Sequence, residues 1–90
     1  MIYEFRCPAT ATVYMNQAMA EQLLEKIGHS PDSKGVITVQ QMAGAVDALK
    51  AMTANESDQS LRNAMAAHIE PMIQMLEEAK QANHNITWGV

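Results

Sequence analysis

The sequence predicts an α+β domain: a small antiparallel sheet of two N-terminal strands plus one C-terminal strand, packed against three helices, the last long and kinked at Pro71. Three observations predict it. Apolar residues alternate at both ends of the chain, the stretches between them carry the three-to-four-residue spacing of amphipathic helices, and turn residues separate one from the next. Ninety residues make one domain, covering 1–90, and no internal repeat or long linker divides it.

At the N-terminus Tyr3, Phe5 and Cys7 share one strand face and Glu4 and Arg6 the other. After the Pro8 turn, residues 12–15 are β-branched and aromatic, with Val13 and Met15 on one side, so a second short strand is expected. Asn16 is a good N-cap for a helix over 17–27, whose buried stripe is Met19, Ala20, Leu23, Leu24 and Ile27. Gly28 supplies the left-handed residue that commonly follows a helix, and residues 30–35 form a turn-rich loop. Thr38 and Gln41 fit a capping box, with Ile37 and Met42 as the hydrophobic staple around it, so the second helix begins at Val39. Its inward stripe is Val39, Met42, Val46 and Leu49. Residues 53–57 break the pattern before a third helix over 58–82, about 37 Å long, against a diameter of roughly 24 Å for a chain of this size. Such a helix must bend or protrude, and Pro71, which lacks an N–H and crowds the preceding turn, is where a kink is expected. Asn83, His84 and Asn85 form a turn, after which Ile86, Trp88 and Val90 alternate with Thr87 and Gly89 as a terminal strand.

Composition narrows the function. The formal charge is −4 and the six Lys and Arg residues are scattered, whereas release of counterions from phosphates needs several cations on one face. Nucleic-acid and anionic-membrane binding are therefore not expected. No segment approaches the ~20 apolar residues of a membrane span, and charges interrupt what would be a signal core at the N-terminus. A cytoplasmic protein is expected, and the single Cys7, which cannot close an internal disulfide, agrees with a reducing compartment.

The eight methionines are the compositional oddity. Leu61, Met65, His68, Met72, Leu76 and Ala79 form one helical stripe in which His68 is the only polar member. Thioether and imidazole ligands suit soft copper(I), but core spacing makes methionine a filler of irregular packing and His68 a buried, hydrogen-bonded side chain. No carboxylate completes a metal triad with His68, and phosphate-loop, Cys-x-x-Cys, His-Glu-x-x-His and Gly-x-Ser-x-Gly patterns are absent. No cofactor, metal or enzymatic activity is expected.

Several pieces in order carry a resemblance: the opening Met-Ile-Tyr-x-Phe, the Leu-Leu-x-x-Ile-Gly of 23–28, the Pro-x-x-Lys-Gly-Val-Ile of 31–37, the Pro-Met-Ile-x-Met-Leu of 71–76, and the closing Ile-Thr-Trp-Gly-Val. Across nearly the whole chain they resemble a family of small bacterial proteins labelled domain of unknown function 1840. The resemblance implies a proteobacterial cytosolic protein and brings no catalytic residue with it.

The expected function is protein–protein interaction, with self-association as a homodimer through the last helix. Ile69 and Ile73 widen its apolar arc beyond Met65, Met72 and Leu76 to roughly 160°, more than one core requires. The interaction face so read is Met65, His68, Ile69, Met72, Ile73 and Leu76, offered to a second copy or to another protein. The alternative is a binding module for a small apolar ligand or soft metal centred on the Met/His68 stripe.

Overall fold

The computed structural model describes residues 1–89, so the expected place of Val90 in the last strand lies outside the described residues. The elements follow in the order β1 (Ile2–Phe5), β2 (Val13–Asn16), α1 (Gln17–Lys26), β3 (Gly35–Ile37), α2 (Val39–Ala54), α3 (Gln59–Ala82) and β4 (Ile86–Trp88). The fold is α+β, with three helices and two small antiparallel sheets, β1–β2 and β3–β4. One residue pair joins the sheets: Arg6 N–H donates to the Thr87 carbonyl at 2.8 Å and Thr87 N–H to the Arg6 carbonyl at 2.9 Å.

The three-stranded sheet expected from the sequence is thus corrected. The terminal strand has its own partner, β3, and touches the N-terminal hairpin only at Arg6. The turn-rich reading of residues 30–35 hid β3, whose three residues are too few for alternation to show. Gly35 is needed there, because a Cβ at this position would lie 2.6 Å from Cζ2 of Trp88. The ring of Trp88 packs on bare backbone instead.

Sheet register places Tyr3, Phe5, Met15, Ile37, Ile86 and Trp88 on the inner face, all buried. Phe5 and Trp88 meet with ring centroids 5.4 Å apart, and the indole Nε1 donates to the Asp32 carbonyl at 2.9 Å. That bond satisfies the one polar atom Trp88 brings into the core. The helices add Leu23, Leu24, Met42, Leu49, Met72 and Leu76, each fully enclosed. The folded surface is 5222 Å², against roughly 5,200 Å² from size scaling, so the core is of ordinary extent for this length.

Local chemistry starts the first two helices as the sequence implies, and the third begins one residue later than expected, with Asp58 as its cap. Asn16 Oδ1 accepts the Met19 N–H at 2.9 Å, and Asp58 Oδ1 accepts from Ser60 and Leu61. The capping box of α2 is present, with Gln41 Oε1 accepting the Thr38 N–H at 3.0 Å. A long-range bond supplements it, from Val39 N–H to Asn85 Oδ1 at 3.1 Å, so the start of α2 is fastened to the approach of β4. Gly28 (φ +79°) follows α1 as expected, and Asn83 (φ +62°) ends α3 in the same left-handed conformation.

The chain elongates to contain α3. Its 24 residues span about 36 Å, which only the longest of the 35 × 28 × 22 Å dimensions accommodates. The helix continues through Pro71, which is exposed.

A candidate site: the groove beside the first half of the last helix

Along α3 the buried residues are Ile69, Met72, Met75, Leu76 and Ala79. The inward stripe therefore runs Ile69, Met72, Leu76, Ala79, and the expected His68 member is corrected to Ile69. His68 lies on the surface. Met72, Leu76 and Ala79 keep their expected places, so the helix is not turned; the enclosed part of the stripe begins at Ile69, because an isoleucine gains by burial whereas an imidazole without a partner is costly to bury.

The burial along α3 also corrects the expected interaction face. Ile69, Met72 and Leu76 are 0% exposed and belong to the protein's own core. Ile73 is half-buried and packed against that core, as is Met65. The six residues do not form one surface, and the Met/His68 stripe is not assembled as a ligand set: Met72 is enclosed while His68 faces outward. Among the described residues no group of three or more His, Cys, Asp or Glu side chains converges to hold a metal ion. Cys7 is buried and free.

The apolar surface that α3 does offer lies one to two turns earlier. Leu61 is 53% exposed, and with Met65 it forms one wall of an open groove of about 670 Å³. Its lining adds Ala48, Ala51, Met52 and Asn55 from the last turns of α2, Gln22 and Lys26 of α1, and Glu56 from the connection between α2 and α3. Two flexible thioethers and a leucine supply its apolar part. Its two charged groups, Lys26 and Glu56, are of opposite sign. Glu56 is held in place, because its Oε1 accepts the Asp58 N–H at 3.0 Å.

Sequence reasoning found Leu61 and Met65 but not the groove. Met52 continues the α2 stripe three residues past Leu49, a signal that was present. The approach of Lys26 to the α2–α3 connection has no local signal.

His29 and Trp88 form a second cluster, structural in character. The imidazole stands edge-on to the indole with centroids 5.0 Å apart, and its Nε2 lies 2.9 Å from the Val36 carbonyl oxygen. Because Thr87 bonds to Arg6, its pair Val36 turns its own amide groups to the outer edge of the sheet. His29 covers that edge, which protects β3 from pairing with a foreign strand.

No helix among the described residues is long and apolar enough to cross a membrane. No curated protein and no solved structure matches the chain. A family model does match, over residues 1–70. It ends one residue before Pro71, so the resembling pieces at 71–76 and 86–90 lie beyond it and the match is shorter than the nearly whole chain expected. With β1 to β3, α1, α2 and the groove-bearing half of α3 inside that match, the chain belongs to the family described as Domain of unknown function (DUF1840).

Proposed function

We propose that the protein is a non-catalytic interaction module that self-associates, two copies meeting across the groove formed by Met52, Leu61 and Met65. The observation that carries this reading is an exposed leucine with two half-buried methionines in a groove whose lining also holds one cation, Lys26, and one anion, Glu56. Such a site is complementary to itself. A two-fold axis through the groove sets Lys26 of one copy against the partner's Glu56 and repeats the pair on the opposite side. Burial of the apolar lining supplies the affinity. The two ion pairs, being at the rim, fix orientation more than strength. The bacterial cytosol is the proposed location, supported by the family resemblance and the free Cys7.

A second reading is favoured by volume. About 670 Å³ falls within the range of roughly 300–1,000 Å³ usual for small-molecule sites, so a small apolar ligand fits the same groove. The soft-metal form of that reading has less support, since His68 is not among the groove residues. Native mass spectrometry of freshly purified protein separates the two, by a doubled mass or by an added small mass.

The proposed dimer is tested by charge exchange. In sedimentation equilibrium at micromolar concentration, Lys26→Glu and Glu56→Lys are each expected to weaken association about tenfold or less, and the double variant to restore it. Leu61→Glu is expected to leave a folded monomer. A wild-type protein that stays monomeric to high micromolar concentration overturns the proposal.

A further inference from the structure

We infer that Met52 and Met65 are a peroxide-modifiable pair whose oxidation to sulfoxide releases the self-association; the inference rests on the dimer reading above. The eight methionines divide by environment. Met15, Met42, Met72 and Met75 are between 0% and 3% exposed and are closed to solutes. Met1 is 73% exposed and touches neither the core nor the groove. Met52 and Met65 are the half-buried thioethers that line the groove, and Met19 is half-buried elsewhere on α1.

The chemistry requires only a peroxide. A sulfur lone pair attacks the outer peroxide oxygen, the O–O bond breaks, and an S–O bond forms. A proton shift releases water from hydrogen peroxide, so the sulfur loses two electrons and the peroxide gains them. The product exchanges an apolar side chain for one bearing a strong acceptor oxygen.

Its effect differs between the two states of association. In a lone copy the groove is open, and water reaches the new oxygen, although both side chains also pack against the core. Between two copies water is excluded, and the oxygen must compete for the few donors of the lining, Gln22, Lys26 and Asn55, be buried unpaired, or keep the copies apart. Oxidation therefore penalises the associated state more than the free one. The converse also holds: association shields both sulfurs, so their rate of oxidation falls as protein concentration rises.

The test treats the full chain with dilute hydrogen peroxide, maps added oxygen by peptide mass spectrometry, and compares sedimentation before and after. Met52, Met65 and Met1 are expected to take up oxygen while Met15, Met42, Met72 and Met75 stay unmodified. The dimer is expected to dissociate at least about tenfold more readily. Met52→Gln with Met65→Gln, which places a polar acceptor permanently in the groove, should reproduce that loss. Met52→Leu with Met65→Leu should associate normally and no longer respond to peroxide. A native protein that is already monomeric sinks the dimer reading and this inference with it. A dimer that persists with both groove methionines oxidised, or oxidation that falls on the core methionines instead, overturns this inference and leaves the dimer standing.

Discussion

The two halves of α3 are built from similar residues and live in different surroundings. From Ile69 to Ala79 the helix is set into the core, with one face closed by the inner sides of β2 and α2. From Gln59 to His68 it projects: Leu61 and His68 face solvent, Met65 is half-covered, and the Nε of Arg62 is buried without a hydrogen-bond partner. The comparison teaches that helical periodicity alone does not show which apolar residues a domain uses for itself. Leu61 and Leu76 are equally good stripe members on a wheel, yet one is half-exposed and the other enclosed. Length decides it, because a helix of about 36 Å runs the whole 35 Å length of the molecule, and the enclosed residues of α3 begin only at Ile69.

The largest effect that can break this comparison is at Ile69. Ile69→Ala removes enclosed methyl groups and leaves a cavity, at an expected cost of about 2–5 kcal/mol. That is a large share of the roughly 5–13 kcal/mol available to a chain of this length. Chemical denaturation of dilute protein measures it. A loss under about 1 kcal/mol would mean that the core does not begin at Ile69.

Pro71 divides the two halves and offers the next effect. It has no N–H to give the Ala67 carbonyl, and it is exposed, so little packing depends on its ring. Pro71→Ala restores that bond. The expected gain is about 1 kcal/mol, below the ~3 kcal/mol difference seen in regular helix interiors, because the surrounding helix is already adapted to the ring. If bending at Pro71 aims the projecting half over α2, the same substitution weakens dimerisation while raising the melting temperature. A stabilised protein that still dimerises as before would show that the groove is set by the α2–α3 packing alone.

How much was legible in the sequence follows the same division. The starts of α1 and α2 could be read, because Asn16 and Gln41 act on backbone groups within three residues of themselves, whereas α3 begins one residue later than expected, with Asp58 as its cap. The strands at both ends were legible through Tyr3–Phe5 and Ile86–Trp88, where alternation is confined to one buried face. What escaped was non-local. β3 exists because Trp88 needs bare backbone at Gly35, and the Asn85 bond to Val39 spans 46 residues. The groove needs α1, α2 and α3 in place before Lys26 and Glu56 can share it. The site reading failed at Ile69, Met72 and Leu76 for a related reason. A wide apolar arc was taken as surplus, whereas the sheet and α2 between them cover it.

The smallest effects sharpen the comparison most, because they separate folding from association along one helix. Leu61→Ala and His68→Ala both alter exposed positions, and each is expected to change the stability of dilute protein by no more than about 0.5 kcal/mol. They should differ in association. Leu61 forms a wall of the groove, so its truncation removes apolar contact between copies and weakens the dimer. His68 lies outside the groove lining, and its removal should leave the dimer as it was. Ile69, one residue further, should damage the fold itself. Three consecutive behaviours within nine positions would follow the change of environment from a projecting to an embedded helix. Unfolding of dilute protein, paired with sedimentation at micromolar concentration, reads both properties for each variant. A loss above about 1 kcal/mol on His68→Ala would return the imidazole to the core and extend the embedded part of the helix by a residue. A dimer unaffected by Leu61→Ala would remove the groove from the interface.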